Sequence, residues 1–166
     1  MSIKEKFQDW FEYEIDCNAK MLKMLESVPQ ENRGDSRFQQ AVATADHLAA
    51  CREKWLAYMT GKEANHIPWR NEACDLSTLG PRFAETAKAW THYLANIEES
   101  KLNEDFHFTE ANGETYSEPT EVQIVQLFGH ASYHRGQIAL LVDQLGGETE
   151  DTDYVEWWWI KNRGSY

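Results

Sequence analysis

Four long segments of the chain carry apolar residues at steps of three and four, the spacing of one face of an α-helix. The first runs from Phe7 to about Val28, where Pro29 stops it, and the second runs from Ser36, a good capping residue, to Met59. Because 166 residues is the usual size of one domain, we expect a single all-α four-helix bundle over residues 1–166.

The third and fourth segments follow a connection that has no periodicity, from Lys62 to Leu76. Ser77 is predicted to cap the third helix, which runs to about Lys101 and accepts Pro81 only in its first turn. The fourth helix is predicted to begin around Pro119 and Thr120 and to close at Gly146-Gly147.

Two further segments lie outside these helices. Between the third and fourth helices, Asn112-Gly113 predicts a type I′ turn, so residues 105–116 are expected to form a small β-hairpin. After the fourth helix, residues 153–159 include three consecutive tryptophans. This segment is too aromatic to be simply solvated, so we expect it to pack across the bundle or against a partner chain.

Charge and cysteine content exclude several classes of function. The formal net charge is −12 without a basic stripe, which argues against a nucleic-acid partner. The charged N-terminus and the lack of any long apolar run predict neither a signal peptide nor a membrane span, and hence a cytoplasmic protein. Cys17, Cys51 and Cys74 show no C-x-x-C spacing, so we interpret them as reduced, buried thiols.

Two histidines of the fourth helix provide the strongest chemical signal. His130 and His134 are four residues apart, which places both imidazoles on one helix face, and the surrounding apolar stripe turns that face inward. His47, in the middle of the second helix, is the best third candidate. Imidazole suits zinc, nickel, copper and iron, and three protein ligands leave a coordination position for water or substrate.

Spacing alone leaves alternatives open. A histidine on a helix face is more often a hydrogen-bonded core residue or a surface residue than a ligand, and His66, His92 and His107 are assigned to solvent or local packing. His66 and His107 remain candidates for the rim of the site. A fourth protein ligand from Glu14, Cys51 or His107 would make the site closed and structural instead of open and catalytic.

Two longer motifs resemble the DinB family of damage-inducible-type proteins. The segment 126–138, QLFGHASYHRGQI, is similar to the family's final helix, in which two histidines ligate a metal. The segment 45–56, ADHLAACREKWL, is similar to its second helix, whose histidine is the third ligand. Asn18-x-x-Met-Leu and Thr152-Asp-Tyr also look like family features, so the resemblance covers nearly the whole chain.

The resemblance implies an up-down-down-up bundle, a homodimer, and a divalent metal held by His47, His130 and His134. We expect nickel or zinc, with iron or manganese as alternatives. Related family enzymes are transferases that use bacillithiol, mycothiol or glutathione-like thiols, so a low-molecular-weight thiol and a small-molecule substrate are expected.

Two hypotheses about function follow from the residues. The first is a metal-dependent hydrolase or thiol-dependent S-transferase, in which Glu14 or Asn18 on the first helix orients the nucleophile. Either residue could instead bond the outer nitrogen of an imidazole. Arg135, and likewise Gln137, is a candidate anchor for the cofactor, although a surface ion pair is the ordinary role of such an arginine. The second hypothesis is a non-catalytic metal- or small-molecule-binding module.

Overall fold

The computed structural model describes residues 1–165. It confirms the four predicted helices and the hairpin, and it adds a fifth helix that the sequence pattern did not indicate. The helices and strands have the following bounds: α1 Ile3–Ser27, α2 Ser36–Met59, α3 Leu76–Asn96, β1 Asp105–Thr109, β2 Thr115–Pro119, α4 Thr120–Gln144 and α5 Tyr154–Arg163.

The side-chain contacts between helices confirm the up-down-down-up arrangement. The start of α1 meets the end of α3, where Lys4 Nζ donates to the carbonyl of Ala95, so these two helices are antiparallel. Helices α2 and α3 are parallel, because Asp46 pairs with Arg82 while Arg52, further along α2, accepts from Trp90. Helices α1 and α2 lie on opposite corners, and each packs on both α3 and α4.

Helix α3 differs from its prediction at both ends. Asp75, not Ser77, caps it by accepting from the Ser77 amide, so Pro81 lies inside the helix instead of in its first turn. Pro81 costs one backbone hydrogen bond, but burial of Leu79 and Phe83 on either side of it holds the helix together. The helix ends at Asn96, and Lys101 belongs to a separate 3-10 turn.

The hairpin is present, but its turn is not type I′. Thr109 pairs with Thr115, which leaves a five-residue connection, and Gly113 donates to the carbonyl of Glu110. A type I′ turn needs positive φ at both central residues, whereas Gly113 has φ +85° and no non-glycine residue among those described has positive φ. Among the described residues of this turn, Gly113 alone therefore has the positive φ.

Two apolar clusters fill the bundle. One packs the end of α1 with the first half of α2 and the last half of α4, and includes Leu48, Ala131 and Ile138. The other packs the start of α1 with the end of α3, and includes Cys51 and Leu127. The predicted metal ligands lie between these two clusters, on the facing turns of α2 and α4.

The aromatic tail packs on the bundle, which is one of the two alternatives predicted for it from the sequence. It forms α5, in which Tyr154 and Trp157 contact the ring of Tyr13 on α1. Lys161 pairs with Asp9 and Glu12 on the same face of α1. None of the helices within residues 1–165 has the length and apolarity that a bilayer span requires.

Candidate metal centre

Three imidazoles meet between α2 and α4. His130 and His134 lie one turn apart on α4, and His47 faces them from α2. The residues around His47, from Ala41 to Cys51, are all buried, and most of them are small. Alanine at these positions lets α2 approach α4 closely, so that side chains from the two helices reach a common point.

The nitrogen positions fit one ion. His130 Nε2 lies 3.2 Å from His47 Nε2 and 3.1 Å from His134 Nε2, and one nitrogen of each ring lies within 4.8 Å of the others. Metal–nitrogen bonds of about 2.0–2.1 Å in a tetrahedron would separate neighbouring nitrogens by roughly 3.3 Å. The observed separations are close to that value, so the cluster matches the donor set and spacing of a transition-metal site.

Two of the imidazole rings are oriented by hydrogen bonds from the nitrogen that faces away from the cluster. His47 Nδ1 donates to the backbone carbonyl of Trp69 at 2.5 Å, and His134 Nδ1 donates to Gln137 Oε1 at 2.7 Å. A proton on Nδ1 leaves the lone pair of Nε2 directed into the cluster, which is the usual arrangement of metal-binding histidines. Trp69 is held there by Lys54, whose ammonium lies 4.4 Å from the centre of its ring.

The surroundings keep two of the imidazoles neutral. Burial lowers the pKa of His130 to about 4, and repulsion from His134 and His47 adds to the shift. Burial also lowers the pKa of His47, although the bond to the Trp69 carbonyl opposes this. Neutral imidazole is the form that binds metal, so at neutral pH both rings are ready to coordinate.

The cluster opens into a cavity of about 340 Å³. Its walls include His47, His130, Trp55, Trp69 and Glu118. Desolvation raises the pKa of Glu118, which lies at the end of β2. A histidine cluster, a carboxyl group and two indole rings therefore share one opening, which has the usual composition of a small-molecule site.

Glu118 is itself held in place. With its amide oriented to suit its neighbours, Gln123 donates to Glu118 Oε1 at 2.7 Å and accepts from Trp55 Nε1 at 3.2 Å. Because Trp55 and Gln123 come from α2 and α4, the chain of bonds joins the hairpin to the two helices that carry the histidines.

Comparison with known proteins agrees with this geometry. The sequence model of the DinB family matches residues 1–164. The chain belongs to the DinB family. The chain is also 20% identical over 154 residues to Protein DinB of Bacillus subtilis (strain 168), covering 87% of this chain and 88% of that relative. A comparison with solved structures finds no significant match.

In this DinB-family chain, the predicted site residues Glu14, Asn18 and Arg135 do not line the cavity at the histidines. Glu14 forms a buried ion pair with Arg52, and Asn18 accepts from Arg135 Nη1 at 3.4 Å. Glu14 and Asn18 line a different cavity, between α1 and α3. Arg135 is 3% exposed and also lies 3.4 Å from Ser132 Oγ, so it is no surface ion pair.

The candidate fourth ligands do not join the cluster within residues 1–165. Cys51 Sγ lies 3.6 Å from both ring nitrogens of His47, but only the three histidines share a common coordination point. His107 is exposed and lines a separate cavity beside Tyr58, and Glu14 is occupied by Arg52. The structure thus brings together three protein donors.

The remaining histidines agree with their assignment to solvent or local packing. His66 and His92 are exposed, His66 beside Glu63 and His92 on the outer side of α3. Neither they nor His107 line the cavity at the histidine cluster.

The sequence pattern did not indicate several residues of the site. The contribution of Trp69 is a backbone carbonyl, which no side-chain pattern can indicate. Glu118 precedes α4 in the sequence and reaches the cavity only because the hairpin folds back on α2. Gln137 was considered as an anchor, and its position three residues after His134 could have indicated its bond to that ring.

Proposed function

We propose that His47, His130 and His134 bind one divalent transition metal and that the protein is a metal-dependent enzyme. Nickel or zinc is the first choice, with iron or manganese as alternatives. The observation that carries this proposal is the convergence of three Nε2 atoms on one point at the wall of an open cavity. Three protein ligands leave a position for water or substrate, as in catalytic sites.

The proposed reaction is hydrolysis or thiol-dependent S-transfer. When bound, the metal would lower the pKa of a water molecule or of a small thiol in the open position. Glu118 is placed to take up or return the proton, because its raised pKa lies closer to neutrality than that of an ordinary carboxyl. Trp55 and Trp69 would pack against the apolar part of the substrate and limit access of water.

A charged group near the opening can orient an anionic substrate or thiol. Arg70 is exposed and lies close enough to lower the pKa of His47, Cys51 and His130 by its charge. Arg135, the sequence-based candidate for an anchor, does not line this cavity. Arg70 does not line the cavity either, but its charge acts on three residues of the cavity wall and that of Arg135 does not, so we assign the anchoring role to Arg70.

The alternative function is a metal-binding module without catalysis. It is favoured by the position of Cys51, whose Sγ is 3.6 Å from the ring of His47. A small shift would let the thiolate complete a closed four-ligand site. Against this, burial raises the pKa of the Cys51 thiol to about 12, so the cysteine is a poor ligand until a metal displaces its proton.

Metal content and turnover together test the proposal. Protein purified without chelator or nickel resin should carry close to one transition ion per chain by mass spectrometry of metals. The ion should be lost in His130→Ala and kept in His92→Ala, a matched change at an exposed histidine on α3. Metal-free native protein that also fails to take up added zinc or nickel would refute the proposal.

Glu118→Gln separates the enzyme from the binding module. With a panel of activated esters, and with small thiols plus electrophiles, we expect turnover by the metal-loaded protein. In Glu118→Gln, kcat should fall by about 10²–10⁴-fold while metal content is unchanged, as for removal of a general acid–base group. Background turnover with full metal occupancy would instead support the binding module.

We also propose a cytoplasmic homodimer. One side of α4 exposes a row of apolar side chains, namely Val122, Val125, Tyr133 and Leu140. Such a row on an otherwise packed helix is the kind of surface that a second copy of the chain covers. Analytical ultracentrifugation should show a dimer that Tyr133→Glu dissociates. A monomer at all protein concentrations would refute the dimer.

The proposed compartment agrees with the cysteines, because free thiols at all three fit a reducing environment.

A further inference from the structure

The exposed face of α4 carries no charge along most of its length. Over the whole chain, 27% of the residues are charged and the net charge is −12. From Val122 to Leu140, however, every exposed residue of α4 is uncharged. They include two glycines, Gly129 and Gly136, and a tyrosine between them, Tyr133. Two acidic chains can associate through such a face without repulsion across the contact, whereas a basic partner would find no opposite charge there.

Tyr133 is the most exposed of the large side chains on this face, at 64%. Its ring packs edge-on against the ring of His134, with 5.1 Å between the ring centres. A tyrosine that one contact already orients loses little conformational entropy when a partner covers the rest of it. Tyrosine is also enriched among the residues that dominate interfaces. The face thus presents one projecting aromatic anchor.

The same face also contains a recess that matches this anchor. Where two helices pack closely, a projecting side chain inserts between four residues of the facing helix, at positions i, i+3, i+4 and i+7. On α4, such a set is formed by Gln126, Gly129, His130 and Tyr133. Gly129 has no side chain, and a Cβ atom added there meets no other atom within 4 Å. The set therefore surrounds a recess, directly beside the ring of Tyr133.

A second copy of the chain satisfies both features at once. When two α4 helices pack antiparallel about a two-fold axis near Ala131, Tyr133 of each copy lies opposite Gly129 of the partner subunit. The same register places Val122 opposite Leu140 of the partner subunit, so both ends of the exposed apolar row are covered. In a parallel pair, Tyr133 would meet the partner's Tyr133 and glycine would face glycine. That arrangement crowds the rings and leaves a void beside them.

We propose that α4 of each copy packs antiparallel on α4 of the other, and that Tyr133 of the partner subunit enters the recess at Gly129. Gln126 and His130 surround this recess and also line the cavity at the histidines. The partner's Tyr133 therefore forms part of the rim of that cavity, where its hydroxyl can bond a polar group of the substrate. This inference rests on the homodimer and the metal site proposed above, and it names the residue that the second copy contributes to the site.

Cysteine cross-linking tests the direction and register of the pair. Val122 and Leu140 are 18 residues apart, or roughly 27 Å along the helix. When Val122→Cys and Leu140→Cys chains are coexpressed, a short bismaleimide should link one to the other, whereas neither variant alone should form a linked dimer. As a control, Lys88→Cys on the exposed side of α3 should give no link to Leu140→Cys. The three native cysteines are buried and do not compete.

The outcomes separate this inference from the proposals on which it rests. Linked dimers of Val122→Cys alone would indicate a parallel pair, and a dimer without any link in the coexpressed chains would indicate a different interface. Either result overturns the antiparallel pairing but leaves the homodimer standing. A protein that stays monomeric in analytical ultracentrifugation would refute the homodimer and this inference together, while the metal content measured on the same sample still tests the metal site.

Filling the recess tests the role of Gly129. The Cβ atom of Gly129→Tyr meets no atom of its own copy, but the new side chain occupies the space that Tyr133 of the partner subunit needs. The dissociation constant of the dimer should rise about 30-fold or more, as for the loss of a dominant interface residue. The control Lys88→Tyr adds the same side chain to the exposed side of α3 and should leave the constant unchanged. Circular dichroism and metal content should match the wild type in both variants. Wild-type dimerisation of folded Gly129→Tyr would overturn the proposal.

Discussion

The buried ion pair between Glu14 and Arg52 should make a large contribution to the free energy of unfolding. In Glu14→Gln, Arg52 keeps its positive charge at a position where 97% of its surface is removed from solvent, given its 3% exposure. Removing one partner of a buried ion pair costs about 3–5 kcal/mol. Because glutamine still offers one acceptor oxygen to the guanidinium, we expect the lower end, about 3 kcal/mol.

This loss should be visible in both chemical and thermal unfolding. For a chain of 166 residues, each kcal/mol shifts Tm by about 2–4 °C, so Glu14→Gln should lower Tm by roughly 6–12 °C. Urea unfolding followed by tryptophan fluorescence suits the measurement, because Trp90 Nε1 donates to the carbonyl of Arg52 at 2.9 Å. The unfolding should be measured with and without metal, since bound metal adds its own stabilisation.

Two comparison variants make the result specific to burial. Glu12→Gln removes an exposed carboxylate of the same helix, which pairs with Lys161, and should cost less than about 1 kcal/mol. The double variant Glu14→Leu/Arg52→Met should recover part of the loss, because apolar replacement of both partners is often neutral. If Glu14→Gln costs no more than Glu12→Gln, then water screens the Glu14–Arg52 pair and the reasoning is wrong.

Three further predictions concern individual contacts. Gln137→Ala should weaken zinc binding by about 10–100-fold in a competition titration, because it frees the ring of His134, and unchanged affinity would contradict that role. Gly147→Ala should lower the free energy of unfolding in urea by about 1–3 kcal/mol, because the added Cβ would lie 2.6 Å from Val142 Cγ1. Stability equal to that of the wild type would show that the backbone around residue 147 moves to avoid this clash. Bonds from Arg37 lower the pKa of Asp35, the cap of α2, from 3.8 to about 2. The charge of Asp35 therefore stabilises the fold above pH 3.8, and this stabilisation is lost as the pH falls towards 2. The difference in Tm between wild type and Asp35→Asn should vanish over the same range. A difference in Tm that stays constant with pH would exclude the charge as its cause.

The sequence predicted the features that depend on neighbouring residues. The pair His130 and His134 followed from helical spacing, and the limits of α4 followed from Pro119 and the glycines after it. His47 was placed by resemblance, since no local rule pairs a residue of α2 with one of α4. Pro81 misled the prediction of α3, because the cost of a missing hydrogen bond was weighed without the core contacts that offset it.

The parts that could not be predicted depend on contacts between distant segments. Glu14 and Asn18 stand out on the stripe of α1 as polar interruptions, which suggested a role near the metal. Only the fold shows that Arg52, 38 residues away, neutralises Glu14. The same holds for Glu118, which joins the cavity through the path of the hairpin.

Helix α2 shows why the proposed metal site lies where it does. It is buried without interruption from Ala41 to Arg52, so every polar side chain in that stretch must find a partner inside the protein. Thr44 donates to the Gln40 carbonyl and Asp46 pairs with Arg82. Arg52 pairs with Glu14, and its guanidinium also lies 5.0–5.5 Å from the ring centres of Phe11, Trp90 and Phe128. The inward Nε2 of His47 has no such partner, because it lies 3.2 Å from His130 Nε2 and 3.6 Å from Cys51 Sγ. A metal ion would satisfy this lone pair, so the proposed metal site follows from the burial of α2 as well as from the arrangement of the three histidines.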